Sequence, residues 1–466
     1  MTIATDIIRG RVPDYDACLR EGESLDDIDE YGFTPLIESA IMRRMDVAEQ
    51  LISRGININK PDVTGRTALH WAVDNNDVEF ATLMLEKGAN PNAYTRAGLS
   101  VLVYPVLRGH DAIKQLLYKH GAKLDFALDF IYGKLVGHRF SLTGDVDIVN
   151  AAGEFIELDY EGFILEFTVA VIHDSLRRFT SSYSTRHLRE HFPYLHAIMD
   201  AIVIAEEMLQ LQHHVDFTST QIARLASLIK APMLVLPAAS RGHAMCFVRF
   251  HEWWAKIDRG ENSLKEGSVN IYRISKPEAF TVGFIREFLY TKQSRQYFHE
   301  SINHQLGLIP VAKMPIAPQI AGNCSWANVQ TVVAVGYALQ HIELTSQFSF
   351  DAPIALYDAW VEWDQDRALD ECIQRFYLAD PLRKASLAAI LGGILFQTCD
   401  VRSEHHLVRA EKMLSILTLP DYYYILQSYL DEYCVKRLTR KGNNLLKLLD
   451  DCGVDPNIGV SYIATE

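Results

Sequence analysis

The sequence predicts an α+β multidomain chain. A helical solenoid comes first, a mixed α+β domain follows, and a helical region closes the chain. Three observations carry this. Glycines recur at a fixed step: Gly55, Gly88 and Gly121 lie 33 residues apart (88−55 and 121−88), and Gly32, Gly65 and Gly98 keep the same step. A constant period of that size is the mark of stacked helical repeats. Further on, Met233–Leu236, His243–Phe250 and Trp253–Ile257 are β-branched and aromatic runs that read as strands. Between them and the helical end lies Gln319 to Ile342, Q-I-A-G-N-C-S-W-A-N-V-Q-T-V-V-A-V-G-Y-A-L-Q-H-I, apolar around most of a helical circumference. Such a helix is buried.

The bulk numbers bound the possibilities. A chain of 466 residues with 48% hydrophobic and 22% charged residues forms two or three ordinary globular domains. A net charge of −14 argues against a general binder of nucleic acid or of membrane surfaces. The local exception, Lys436, Arg437, Arg440 and Lys441, reads as a solvated helix face. Seven scattered cysteines without a C-x-x-C pair fit reduced thiols in a cytosol-like compartment. The first ten residues hold no apolar segment of the kind a Sec signal peptide needs. The most apolar run, Ala385 to Phe396, is too short to span a bilayer, so no transmembrane segment is expected.

The repeats are cleanest in the second unit, G-R-T-A-L-H-W-A-V followed by V-E-F-A-T-L-M-L-E-K-G-A-N-P-N. The triplets Thr34-Pro35-Leu36, Thr67-Ala68-Leu69 and Ser100-Val101-Leu102 repeat in step. This pattern resembles the ankyrin repeat. The units are 29–61, 62–94 and 95–127, with 1–28 as a degenerate cap, giving an ankyrin array over 1–127. The resemblance implies that Thr67 and His70 bond within a turn and that Leu69, Ala72, Leu83 and Leu85 fill the seam between helices. The glycine after each second helix takes a left-handed conformation. Such an array binds partners through its hairpin tips and concave face and has no chemistry of its own. The third repeat drifts from consensus at Tyr104-Pro105, and Tyr94, Arg96, Tyr104 and Arg108 are the candidate partner-binding residues. Asn59 and Asn92 sit where ankyrin families can be hydroxylated, and where a purely structural asparagine also sits.

From Leu128 to Glu166 the chain reads as strands: F-S-L-T, V-D-I-V, E-F-I-E-L and F-I-L-E-F. From Val169 to Lys230 it turns helical. His187-Leu188-Arg189-Glu190-His191 fits the H-x-x-E-H zinc pattern. Pro193 predicts that the helix ends there, and beyond Glu206 or Glu207 no third ligand is evident, so no metal is expected. His213-His214 and His405-His406 read as surface pairs.

The chemistry concentrates around Cys324. Gly322-Asn323 reads as a turn and N-cap, with Asn323 accepting from a free N–H of the first turn. Cys324 then opens the buried helix, where the positive helix end favours its thiolate. Gln319, five residues upstream, can offer an N–H to a developing oxyanion. Upstream, 243–258 reads as a hairpin turning near 249–252, in which His243 faces Asp258. A carboxylate there would hold the imidazole in one tautomer. His251 is a spare base in the turn, and Cys246 belongs to the core.

Gln, Gly-Asn-Cys-Ser-Trp and a long helix resemble the active-site helix of papain-like cysteine peptidases. Gly242-His243 and Asp258-Arg259-Gly260 extend the resemblance to peptidase-like effectors of intracellular bacteria. Two features depart from papain: the Gln-to-Cys spacing is one residue shorter, and the histidine precedes the cysteine. The order His, Asp, Cys also occurs in adenain-like peptidases. The resemblance implies a Cys324–His243–Asp258 triad with Gln319 at the oxyanion and no cofactor, within a peptidase-like domain over 128–345.

Helices are expected at 352–378, 384–398, 403–416 and 420–436 within a helical region over 346–466. Asn443 to Asn457 resembles the second helix and turn of an ankyrin repeat, giving an isolated ankyrin-like unit near 420–458. Tyr422-Tyr423-Tyr424 reads as helix packing. Taken together, the chain resembles the ankyrin-repeat type IV effectors of Legionella. That implies secretion without a Sec signal, action in the host cytoplasm or nucleus, a host protein as partner of the repeats, a monomer, and no direct nucleic-acid contact. Two functions follow: a thiol hydrolase cleaving a peptide or isopeptide bond, or a non-catalytic interaction protein using the peptidase fold as scaffold.

Overall fold

The computed structural model describes residues 3–149, 154–160, 162–211, 217–240, 243–260, 263–320 and 322–456. Gly242, His213, His214 and Asn457 lie outside the described residues. The chain forms two compact units, Met1–Leu135 with Gly144–Asp159 and Cys372–Glu466, and Val136–Thr143 with Tyr160–Glu371.

The first unit begins with the repeats. Each is a pair of short antiparallel helices, as in Ala68–Asp74 and Val78–Glu86. Thr67 donates its backbone N–H to His70 Nδ1 at 3.1 Å, which rigidifies the turn into the helix. Leu69, Ala72 and Leu85 are buried as the pattern requires. Leu83 is only half-buried; Phe80 and Met84 take the inner seam instead, because they share the helical face that the neighbouring repeat covers. Gly55, Gly88 and Gly121 all have left-handed φ, between 85° and 94°. Asn59 and Asn92 each bond across to the next repeat: Asn59 donates to the Gly88 carbonyl at 3.1 Å and accepts from Asn90 N at 2.7 Å. Asn92 does the same with Gly121 and Lys123. Both carboxamides are therefore structural staples.

The stretch 128–166 departs from the expected four strands. Leu124–Arg139 is one helix, and only β1 (Asp145–Val149) and β2 (Phe155–Asp159) form, as an antiparallel hairpin. Residues 140–143 form a turn, and 163–167 enter the helix Leu165–Ser181. Gly133 lies inside the helix because Leu158 presses against it, leaving no room for a Cβ. Gly137 holds the same position against the Tyr160 ring in the second unit.

The C-terminal part of the first unit is helical: Pro381–Thr398, Glu404–Leu417, Tyr423–Leu430 with a π-helical turn to Lys436, and Arg440–Asp451. Gly453 after the last helix is left-handed, φ 69°. Lys436 and Arg437 pair with Glu432, while Arg440 and Lys441 open a different helix, so the basic cluster is split between two elements. Tyr422 packs edge-on against Phe376 and Tyr423 is buried, whereas Tyr424 is exposed. His406 is half-buried and accepts from Asp400 N at 3.2 Å, so that pair is not a free surface pair.

The second unit is built on a five-stranded antiparallel meander: β3 (Met233–Ser240), β4 (His243–Phe250), β5 (Trp253–Ile257), β6 (Val269–Ile274) and β7 (Leu308–Met314). β3 is longer than its sequence suggested. Pro237 pairs within it, opposite Cys246, which an edge strand tolerates. One face of the sheet buries Leu234, Leu236, Phe247 and Trp254 against Phe284, Phe288 and Phe298. The central helix runs as Cys324–Gln330 and, past Thr331, Val332–Thr345. Gly336 lets it approach the helix Phe192–Gln210 so closely that a Cβ would sit 2.7 Å from Ile198.

The H-x-x-E-H segment folds differently from a metal helix. Arg186–His191 is a 3-10 turn, and Pro193 opens the next helix rather than ending one. His187 and His191 therefore share no α-helical face. His191 Nδ1 sits 2.9 Å from the Tyr337 hydroxyl.

A buried ionic knot ties the second unit. Asp364 receives Arg139 Nε and the Ser175 hydroxyl, each at 2.7 Å, and Arg367 Nη2 at 2.7 Å. Trp360 donates to the Ser175 hydroxyl behind it at 3.0 Å. Burial pushes the Asp364 carboxyl up, but the two guanidiniums outweigh it and hold it below the usual range. Removing one partner of such a knot leaves buried charge without compensation. Asp364→Ala should lower the unfolding free energy by about 3–5 kcal/mol, measured by denaturant titration. Because the native carboxyl is depressed, its contribution is present above the unfolded Asp pKa. It fades as pH falls through the lower native one.

Candidate active site

Cys324 is the first residue of its helix, where the first backbone N–H groups lack intrahelical partners. Its sulfur accepts the Ala244 backbone N–H at 3.3 Å. The His243 imidazole lies beside the same thiol and favours its ionised form. Burial pushes the thiol pKa up, but the bonds from His243 and the Ala244 amide and the imidazole charge outweigh it, so Cys324 ionises below the ordinary thiol range. The other six cysteines go the opposite way. Burial raises Cys18, Cys246, Cys434 and Cys452, and it pushes Cys372 and Cys399 up to about 12.

His243 starts β4. Its Nε2 lies 2.9 Å from Asp258 Oδ1. The bonds to Asp258 and then to Cys324 raise its pKa to about 9 against the opposing effect of burial. Asp258 is buried, which pushes its carboxyl up. The His243 bond, the His243 charge and the Gly260 amide at 3.1 Å outweigh this and keep it low. With Nε2 given to the carboxylate, the ring's Nδ1 is the nitrogen left for the thiol.

The pair forms in a register other than the expected one. The β4–β5 turn is at His251–Glu252, and partners sum to 503 (246+257), not 501. Continued outward, that register sets His243 across from Gly260. A Cβ at Gly260 would lie 2.7 Å from His243 Cε1. The missing side chain lets the imidazole cross diagonally to Asp258, which explains the Asp-Arg-Gly order. His251, with φ 51°, occupies the turn at the far end of β4 from His243. Cys246 is buried in the sheet.

Asn328, one turn below Cys324, was not singled out by sequence reasoning. Its buried carboxamide donates to the Ala244 carbonyl at 2.8 Å and accepts from Arg259 N at 2.8 Å. One side chain thus fixes the neighbour of His243 and the neighbour of Asp258 to the Cys324 helix. Arg259 adds bonds to the Ala317 carbonyl at 2.9 Å and to Thr331 and Tyr357 at 3.4 Å. The only signal in the sequence is spacing: Asn328 follows Cys324 by four, the helical repeat of one face.

One expectation is corrected here. Asn323 holds the N-cap position, but its side chain makes no cap bond; among the described residues Oδ1 is buried without a hydrogen bond, and its backbone carbonyl accepts from Trp326 and Ala327. Its ψ of 34° turns the residue away from the extended conformation that capping uses. Gln319 is tied through its backbone N–H to the Arg259 carbonyl at 2.8 Å, while its side-chain Oε1 is buried without a hydrogen bond among the described residues. Trp326 is buried and stacks on His138, with ring centroids 5.9 Å apart.

On the repeats, Arg96 is exposed, whereas Tyr94 packs edge-on against Phe126 and Arg108 bonds Asp74 at 2.6 Å beside the Tyr104 ring. Among the described residues, no group of three or more metal-ligating side chains occurs and no helix is long and apolar enough to cross a membrane.

The repeats define an ankyrin-repeat protein. Residues 60–127 match the family of ankyrin repeats (3 copies), and residues 31–63 match the ankyrin repeat family. Similarity to curated proteins is local. Inversin from Danio rerio is 39% identical over 72 residues, 16% of this chain and 7% of that protein. Human neurogenic locus notch homolog protein 1 is 36% identical over 84 residues, 18% of this chain and 3% of that protein. The chain thus spans only a small part of these relatives. The solved structure of the Legionella effector AnkH is 71% identical, covering 98% of this chain and 99% of that one, with a TM-score of 0.75. The chain belongs to the AnkH family.

The clamp is testable. Asn328→Leu removes both of its bonds, and Gly260→Ala drives the ring off Asp258. Each should slow alkylation of Cys324 at neutral pH by about tenfold, the effect of raising a thiol pKa one unit. Site-resolved mass spectrometry measures this, with circular dichroism checking the fold.

Proposed function

We propose that this protein is a bacterial effector of host cells whose ankyrin repeats bind a host protein and whose second unit is a papain-like thiol hydrolase acting on a peptide or isopeptide bond. The observation that carries the hydrolase reading is the Cys324–His243–Asp258 contact set. A helix-opening thiol lies beside an imidazole whose Nε2 is 2.9 Å from a buried carboxylate. These are the roles of nucleophile, base and orienter.

The chemistry follows from the positions. His243 Nδ1 takes the Cys324 proton, and Asp258 stabilises the imidazolium. The thiolate attacks the carbonyl carbon, and the oxyanion meets the Cys324 backbone N–H at the helix start and the Gln319 carboxamide. The imidazolium returns its proton to the leaving amine, giving a thioester. Water, deprotonated by His243, then releases the acid and restores the thiol. No cofactor enters.

The domain plan that goes with this reading is an ankyrin array over 1–127, a peptidase-like domain over 128–345, and a helical region over 346–466 with an ankyrin-like unit near 420–458. Arg96 with Tyr94, Tyr104 and Arg108 is the proposed partner face. Secretion by a type IV route, residence in the host cytoplasm or nucleus, and a monomeric state complete the proposal.

One observation favours a second reading, an interaction protein on a peptidase scaffold. Gln319 is anchored by its backbone to Arg259, and its carboxamide oxygen is buried without a partner among the described residues. A peptidase needs the amide nitrogen of this side chain aimed at the oxyanion.

An electrophilic thiol probe separates the two. Wild type, Cys324→Ala and His243→Ala are labelled intact. The hydrolase reading expects fast labelling at Cys324, abolished in the first variant and at least tenfold slower in the second. Labelling of Cys324 no faster than a free thiol, and unchanged in His243→Ala, contradicts it and leaves the scaffold reading.

A further inference from the structure

We infer that His299 is a positioning residue of the Cys324 site, held by Lys256 in the tautomer that presents Nε2–H to the second oxygen of Asp258. The inference deepens the reading of Cys324 as an activated thiol and rests on it.

Asp258 is asymmetric. Oδ1 accepts from His243 and from the Gly260 amide. Oδ2 is buried and accepts no hydrogen bond among the described residues. A buried carboxylate oxygen without a donor carries a desolvation cost that calls for an explanation. The polar atom facing it is His299 Nε2, at 3.5 Å.

The tautomer follows from the far side of the ring. Lys256 Nζ lies 2.9 Å from His299 Nδ1. An ammonium only donates, so Nδ1 holds a lone pair and the proton of the neutral ring is on Nε2. Lys256 is itself buried and fixed by Glu266 Oε2 at 2.8 Å. Burial and the Lys256 charge hold His299 below the ordinary imidazole range, so the neutral tautomer is the one present at neutral pH. His299 sits in the π-helical turn Tyr297–Ser301, an irregularity often found at functional sites. The charged groups facing the ring are Lys256 from β5, Asp258 just past its end, and Glu266 from the short helix Ser263–Glu266.

A chain of contacts thus runs Glu266, Lys256, His299, Asp258, His243, Cys324. At 3.5 Å the Nε2–Oδ2 contact is long, and contacts of this kind tighten when a catalytic site engages its substrate. The donor serves to keep Asp258 ionised and turned toward His243. In acid a second proton on His299 must enter at Nδ1, where it meets Lys256. The ring then becomes a cation competing with His243 for Asp258, and the thiolate loses its support from the acid side.

The test compares pH profiles of Cys324 alkylation by chloroacetamide in the full chain: wild type, His299→Gln, His299→Leu and Lys256→Met. Glutamine offers an amide N–H to Asp258 and a carbonyl to Lys256, whereas leucine offers neither. Leucine should slow the neutral-pH rate by about tenfold and move the profile to higher pH, and glutamine should stay within about twofold. Lys256→Met, which leaves the imidazole but frees its tautomer, should shift the profile in the same direction as leucine. In a Cys324→Ala background, NMR titration should give His243 a lower pKa when His299 is leucine. An unchanged profile in His299→Leu and Lys256→Met, with an unchanged His243 titration, overturns the positioning role. If wild-type Cys324 reacts no faster than a free thiol, the underlying reading has failed instead, and the His243 titration alone decides whether His299 acts on the pair.

Discussion

The site depends on one buried carboxamide. Asn328 reaches from the middle of the Cys324 helix to the Ala244 carbonyl and the Arg259 amide, both at 2.8 Å. Those two backbone groups adjoin His243 and Asp258. A sheet and a helix that only packed apolar faces together could slide by a fraction of an ångström at little cost. Two hydrogen bonds from one rigid amide in a dry interior do not allow that, since either, if lost, strands a buried polar group. The thiol, the imidazole and the carboxylate are thus held to a common reference.

The electrostatics follow from that geometry. Burial alone would raise the pKa of every thiol in the chain, and for six of seven cysteines it prevails. At Cys324 the amide of Ala244 and the imidazole of His243 reverse the direction. His243 in turn gains its proton affinity from Asp258, which stays charged despite burial. Each group is shifted by its neighbour, and none of the shifts survives without the spacing that Asn328 and Gly260 enforce.

Much of this was legible in the sequence, and the misses share a cause. The ankyrin period survives in the sequence because each repeat contacts only its neighbours, so local spacing encodes the structure. Gly-Asn-Cys-Ser-Trp at the start of an apolar helix likewise exposes a helix-tip thiol to a reader. The hairpin register was misjudged by two residues, because a turn centred on His251-Glu252 carries no glycine or proline to mark it. Gly133 and Gly137 are packing glycines in a helix, a role visible only once Leu158 and Tyr160 are in place. Asn328, His299 and Lys256 sit far apart in sequence from the groups they bond. Nothing local marks them, since their meaning lies wholly in tertiary contacts.

What the site rests on is that Cys324 ionises below the ordinary thiol range beside a His243 whose pKa is raised to about 9. The ultraviolet absorbance of the thiolate, taken as the difference between wild type and Cys324→Ala across a pH titration, tests it most directly. The expected result is a difference signal that rises at a pH below the ordinary thiol pKa of about 8.5. A change at the alkaline end, as His243 loses its proton near 9, is expected as well. A signal that appears only as pH rises through the ordinary thiol range would contradict it.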